Sequence, residues 1–289
     1  MPEMPEVEGL AQFLRERAVG RAITGVEVGA ISALKTFSPA PTELAGATVT
    51  DVVRHGKWLD LATGGEAAGD PHLVFHLAKA GWLRWYDAVP TSMLRPGKSP
   101  IALRVRLDDG AGFDLTEAGT RKRLAVHIVE RPEDVPAIAT LGVEPAALTL
   151  EALQELLAAK NQQVKGLLRA QSVIAGIGNA YSDEILHAAR TSPFALTKTF
   201  DEQDAARLLT AIHEVLASAV EQAAGRPAAE LKDSKRRSMK VHGRTGAACP
   251  VCGDTVREVS FADSSLQYCP TCQTEGKILA DRRMSKLLR

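Results

Sequence analysis

Four cysteines set the first chemical constraint on this chain. They stand as Cys249-Pro-Val-Cys252 and Cys269-Pro-Thr-Cys272, with sixteen residues between the pairs and no other cysteine among 289 residues. A C-x-x-C turn presents two thiolates to one ion, and a second pair closes a tetrahedron, the donor set that suits zinc. All four positions are then filled by protein. No open position remains to activate a water, so a single zinc ion is expected to hold a fold rather than do chemistry. Two disulfides would use the same residues, but they belong to oxidising compartments and nothing in the sequence suggests secretion.

The second feature is a cluster of positive charge. The chain as a whole is neutral, with 35 basic and 35 acidic residues, so bulk charge does not point to nucleic acid. From Lys232 to Arg244, however, Lys232, Lys235, Arg236, Arg237, Lys240 and Arg244 face only one acid, Asp233. Such a patch can hold phosphates on a neutral protein, and it can equally be a solvated loop.

These groups need elements to position them. Apolar residues at helical spacing predict a helix over Pro5–Val19 that follows directly on the N-terminus. Strand patterns then run over Ile23–Val28, Val49–Val53, Lys57–Leu61, Leu73–Leu77, Trp82–Tyr86, Ile101–Leu107, Gly112–Leu115 and Leu124–Val129, most of them separated by Gly, Asp or Pro. Beyond the proline-rich stretch 131–145 the period becomes helical over Thr149–Ala159, Val164–Gln171, Ala180–Ala189 and Asp201–Ala224. Val256–Tyr268 reads as a hairpin carrying the cysteine pairs. The expected architecture is α+β: a two-sheet β-sandwich over 1–130 led by a helix, a linker over 131–145, a helical domain over 146–240 and a zinc finger over 241–289. No apolar run spans a bilayer and no signal-peptide order is present, so a cytoplasmic monomer is expected.

Motifs at both ends and in the middle resemble one family, that of formamidopyrimidine-DNA glycosylase and endonuclease VIII. The opening Met1-Pro-Glu-Met-Pro-Glu-Val-Glu8 is similar to the family's M-P-E-L-P-E-V-E. Arg54-His-Gly-Lys-Trp-Leu59 is similar to its R-R-G-K-Y-L strand. Gln171 to Leu186 matches its helix-two-turn-helix, and Val241-His-Gly-Arg-Thr-Gly246 resembles its lead into the finger. The resemblance implies a DNA-repair glycosylase and abasic-site lyase that flips a damaged nucleotide out of double-stranded DNA. Pro2, freed by trimming of Met1, would attack C1′ of the sugar, Glu3 would move protons at the ring, and Lys57 would contact the phosphate beside the lesion. Asn179, at the opening of a helix where free N–H groups favour anions, would bind the flanking phosphate with Lys165, His242 and Arg244. His76 falls in the equivalent DNA-contacting segment. A dinucleotide loop is the rival reading of Gly176-Ile-Gly178, but G-x-G-x-x-G is missing.

The departures fall on damage recognition. Where the family carries H-L-G-M-[ST]-G, this chain has His76-Leu-Ala-Lys-Ala-Gly81, so Lys79 replaces the methionine that fills the hole left by the flipped base. An ammonium fills such a gap only with its alkyl stem. The D-P-R-R-F-G loop becomes Glu117-Ala-Gly-Thr-Arg-Lys-Arg-Leu124, leaving Arg121, Lys122 and Arg123 in uncertain register and no aromatic wedge. Ser264 stands where the family's phosphate-clamping arginine is expected, five residues before Cys269, with Asp263 beside it. The Leu231–Val241 connection is short and basic, too short to close over an oxidised purine. Ordinary 8-oxoguanine is therefore not the expected substrate. The alternative is a protein that binds damaged or abasic DNA on the same fold and cleaves it weakly or not at all. A zinc-finger RNA-binding protein is the remaining reading.

Overall fold

The structure, a computed structural model, describes residues 1–65, 70–95, 99–118, 122–262 and 264–280. The chain divides into two compact units. One comprises Met1–Leu141 with Ala223–Lys232, the other Gly142–Gln222 with Asp233–Arg289.

The first unit opens with α1 (Met4–Ala18), which Glu3 precedes as N-cap and whose Leu10, Ala11 and Leu14 are fully buried. Two four-stranded antiparallel sheets follow. The order in one is β1 (Ile23–Val28), β6 (Ile101–Leu107), β7 (Gly112–Glu117), β5 (Gly81–Tyr86); in the other it is β2 (Thr48–His55), β3 (Trp58–Gly64), β4 (His72–His76), β8 (Ala125–Val129). One apolar core joins α1, Leu59, Leu61, Leu73 and Phe75 of the second sheet, and Leu83, Leu103, Val105, Phe113 and Leu115 of the first. The two-sheet domain expected from strand spacing is what the chain forms.

Residues 223–232 return to this unit. Ala223, Ala228 and Leu231 join its core, and the Trp82 indole N–H donates to the Ala228 carbonyl at 3.0 Å. The stretch 131–145, expected as a linker, carries a 3-10 turn (Pro132–Asp134) and α2 (Pro136–Ala139), and a second 3-10 turn begins at its end (Pro145–Ala147). Val135 and Ile138 there pack with Val74 and Val129 on the outer face of the second sheet.

The second unit contains α3 (Leu150–Ala159), α4 (Val164–Arg169), α5 (Asn179–Ala188), α6 (Glu202–Ala223, all but its last residue), most of α7 (Leu231–Ser238), the hairpin of β9 (Arg257–Ser260) and β10 (Ser265–Tyr268), and α8 (Pro270–Gln273). Helix α7 differs from the loop read from charge alone. Its Lys and Arg are good helix formers, Asp233 sits in the first turn and Lys235, Arg236 and Arg237 in the last, so charge complements the helix dipole at both ends. Val259, Leu266 and Tyr268 of the hairpin form a small core with Phe194. No helix of the described residues is long and apolar enough to cross a membrane.

Polar groups inside the second sheet are paired. Asp60, 1% exposed, meets His72 Nδ1 at 2.8 Å and His55 Nε2 at 3.4 Å. Burial pushes its carboxyl up, but the hydrogen bonds and charges of the two imidazoles outweigh this and leave it below its ordinary value. The bond to Asp60 raises His72 against the opposing effect of burial, with Glu133 and Asp70 adding to the rise. The Asp60 contribution is lost as pH falls through its lowered value, and that of His72 as pH rises through its raised one, so the pair is strongest from about pH 4 to 6.5. Asp60→Asn is expected to cost more stability at pH 6 than at pH 9 in urea unfolding. An equal loss at both would show that the pair is not coupled.

Candidate functional site

In the first unit the N-terminus is packed at the head of α1. Pro2 is buried, Glu3 is 2% exposed, and the Glu3 backbone N–H donates to Glu6 Oε2 at 2.8 Å. The β2–β3 hairpin is fastened to the same helix, because Arg54 Nε donates to Glu8 Oε2 at 2.8 Å while its Nη1 reaches the Gly56 carbonyl. Gly56 turns at φ 56°, a left-handed conformation that suits glycine, and delivers Lys57 into a site where it is 8% exposed.

His76 ends β4 against Trp58, ring centroids 4.9 Å apart. Burial, and next the charge of Lys57, hold its imidazole down at about 4. The ring is neutral at pH 7, and its Nδ1 accepts from the Ala78 N–H at 3.1 Å, which leaves the proton on Nε2. Lys79 is the exposed residue of the β4–β5 turn, next to buried Ala78, itself at φ 51°.

On the following loop, buried Glu117 accepts the backbone N–H of Arg123 at 2.7 Å and of Leu124 at 3.1 Å, and the Lys122 ammonium caps the Glu117 carbonyl. Lys122 and Arg123 are exposed. Arg121 lies outside the described residues.

The second unit is organised on α5. The turn before it is at φ 83° at Gly176, whose N–H donates to Gln171 Oε1 while Gln171 Nε2 donates to the Ile177 and Arg169 carbonyls. Asn179 is the first helical residue. Its Nδ2 donates to the Ser265 carbonyl at 2.7 Å, and its buried Oδ1 has no partner among the described residues. Lys165 is 6% exposed, with its ammonium 2.5 Å from Asp183 Oδ1, 2.7 Å from Ser182 Oγ and 3.2 Å from the Asn179 carbonyl. The other Asp183 oxygen takes His242 Nδ1 at 2.7 Å.

Glu184 accepts the backbone N–H groups of Lys240, Val241 and His242 at 2.8 to 2.9 Å. Burial raises its carboxyl despite those three donors. Arg244 is exposed, as is the segment that follows it, and Ser264 lies in the β9–β10 turn. Asp263 is outside the described residues. Gln171, Asp183, Glu184 and His187 were given no part by sequence reasoning. For Asp183 and His187 the one signal is spacing: with Asn179 they recur every fourth residue from the start of a helix.

The four cysteines converge, their sulfurs all within 4.8 Å of one another, with Cys252 to Cys269 at 3.3 Å and Cys249 to Cys272 at 3.9 Å. A tetrahedron with metal–sulfur bonds of about 2.3 Å has edges of about 3.8 Å, so the thiols fit zinc. Burial pushes the Cys269 thiol up to about 11 and Cys272 up as well, whereas a backbone hydrogen bond at Asp254 lowers that of exposed Cys252.

Comparison with known proteins matches residues 1–126 to the formamidopyrimidine-DNA glycosylase N-terminal domain, 141–229 to the H2TH domain of that enzyme, and 246–274 to the zinc finger found in FPG and IleRS. A formamidopyrimidine-DNA glycosylase from Symbiobacterium thermophilum is 33% identical over 98% of this chain and 93% of its own. An uncharacterised formamidopyrimidine-DNA glycosylase-like protein of Mycobacterium tuberculosis is 53% identical over 53% of this chain and 98% of its own. Among solved structures, MutM in complex with carbocyclic 8-oxo-G containing DNA superposes with TM-score 0.81 at 25% identity, covering 94% of this chain and all of that one. Lactococcus lactis Fpg with abasic-site DNA gives TM-score 0.81 at 26% identity, covering 94% of this chain and 99% of that one. Fold and finger thus define a DNA-repair glycosylase. Within that class, the chain belongs to the formamidopyrimidine-DNA glycosylase family.

Removing the Glu184 carboxylate strands three backbone donors at the entrance to the finger. Glu184→Ala is expected to lower stability by about 2 to 4 kcal/mol in urea unfolding. A loss below about 0.5 kcal/mol would mean that water replaces the carboxylate without cost.

Proposed function

We propose that the protein removes a damaged base from double-stranded DNA and cleaves the strand at the resulting abasic site by β-elimination. The observation that carries this reading is the buried Pro2–Glu3 pair at the head of α1 in a chain of this family. With Met1 removed, the secondary amine of Pro2 attacks C1′, the C1′–N bond to the base breaks and the base leaves with a proton. The sugar ring opens to give an iminium, with Glu3 exchanging protons at the ring oxygen. Loss of a C2′ proton then expels the 3′ phosphate.

Lys57, and His76 through its Nε2–H, supply phosphate contacts in the first unit. Asn179, His242 and Arg244 supply them in the second, with Lys165 holding the Asp183 carboxylate that orients His242. Lys79, Arg121, Lys122 and Arg123 belong to the loops that meet the gap left by the flipped nucleotide. Cys249, Cys252, Cys269 and Cys272 hold one structural zinc ion. The protein acts as a cytoplasmic monomer on DNA. With α7 in place of a long covering loop, the substrate is an abasic site or an open-pocket lesion such as an oxidised pyrimidine, a hydantoin or a bulky adduct, rather than 8-oxoguanine.

Borohydride trapping on abasic duplex tests the nucleophile. A covalent adduct is expected from protein whose N-terminus is Pro2 by mass, and none from Pro2→Gly or from protein retaining Met1. Tight binding to abasic duplex without any adduct would favour the second reading, a DNA-binding protein, which rests on Ser264 in place of the expected arginine. Ser264→Arg separates the two further. It is expected to tighten binding to abasic-analogue duplex about tenfold or more, an added charge-assisted phosphate contact being worth about 1.5 to 3 kcal/mol. Unchanged affinity would show that this position no longer meets phosphate.

A further inference from the structure

Asn179, Asp183 and His187 occupy positions i, i+4 and i+8 of α5, so their side chains rise along one face of the helix. Each is fastened to a different part of the finger region. Asn179 holds the Ser265 carbonyl of the hairpin, Asp183 holds His242 ahead of the finger, and His187 Nε2 stands 3.3 Å from Cys249 Sγ. The first two are ordinary polar pairs. The third ends on a sulfur of the four-thiol cluster.

His187 is 3% exposed, and Cys249 beside it is equally buried at 3%. A metal-bound cysteine is a thiolate and can only accept. A 3.3 Å contact between Nε2 and that sulfur is attractive only with the proton on Nε2; the other tautomer would set a lone pair against a negative sulfur. Four thiolates around one divalent ion also leave two negative charges in a partly buried site. An N–H directed at a buried sulfur stabilises that charge.

We propose that His187 is a fifth residue of the zinc centre: a positioning residue whose Nε2–H donates to the Cys249 thiolate and fixes that ligand to helix α5. It does not ligate the metal. It disperses charge from one of the two buried sulfurs, holds Cys249 in its ligating orientation, and ties the metal to the helix whose first residue is Asn179. The other thiols have different surroundings: Cys252 is exposed, and Cys269 has its backbone N–H bound to Gln273 Oε1 at 2.9 Å. Losing a partner of this kind typically weakens metal binding 10- to 100-fold.

The inference rests on the zinc reading of the four cysteines, and one preparation tests both. Full-length protein loaded with cadmium-113 and labelled with nitrogen-15 histidine is expected to show His187 protonated at Nε2, with scalar coupling between that proton and the metal. No metal uptake would sink the zinc reading and this one together. Uptake with His187 protonated at Nδ1 and no coupling would sink this one alone.

Zinc competition with a chromogenic chelator gives the second measurement. His187→Phe fills the space without a donor and is expected to raise the zinc dissociation constant 10- to 100-fold, while His187→Gln, which keeps an N–H, restores it to within a few-fold of the parent. Parent-like affinity in His187→Phe would overturn the proposal. Should that variant fail to fold, the cadmium spectrum of the unsubstituted protein decides the matter by itself.

Discussion

Two consecutive buried carboxylates, Asp183 and Glu184, carry the organisation of the second unit. Placing adjacent acids on one helix, 1% and 6% exposed, costs several kcal/mol of desolvation unless nearly every oxygen is occupied. Here each is. Asp183 divides its oxygens between the Lys165 ammonium and the His242 ring, and Glu184 collects three successive backbone N–H groups from the segment that enters the finger. The helix that opens with Asn179 is thereby joined to α4 on one side and to the finger on the other. Satisfied networks of this kind specify one arrangement, since losing any member strands a charge.

Much of this was legible in the sequence. The cysteine spacing anticipated a four-thiol cluster because a C-x-x-C turn is local chemistry, and the alternation of Leu73, Phe75 and Leu77 marked a strand for the same reason. The switch from strand to helical period near residue 145 located the change in architecture. What could not be read is nonlocal. Pairing of β1 with β6 joins Val26 to Val105, and nothing in either strand names the other. Lys165 read as a contact to the DNA backbone, and its burial against Asp183 went unforeseen, because that partner lies eighteen residues away and only the fold brings them together. The basic run after Leu231 read as a loop because charge dominates it, yet Lys and Arg are good helix formers and the charges complement the helix dipole at both ends.

The departures from the family pattern have a common physical character. Lys79 is exposed and Ser264 half-buried, each on a turn between strands, and neither side chain belongs to an apolar core. Both departures thus fall on connecting turns and leave the strands and helices of the scaffold as they are. His76 shows the opposite case. Its neutral ring is enforced by burial and by Lys57, so its chemistry is tied to the packing around it.

The return of residues 223–232 to the N-terminal core has a consequence for how the protein is made. Ala223, Ala228 and Leu231 are needed to finish a core whose other members lie before residue 130. During synthesis the β-sheets can assemble early, but one side of their hydrophobic interior stays uncovered until the ribosome has passed residue 232. By then most of the helical part has already emerged. The part of the chain made first is therefore completed late, and a truncation before residue 223 would release an N-terminal half with an open, aggregation-prone apolar face.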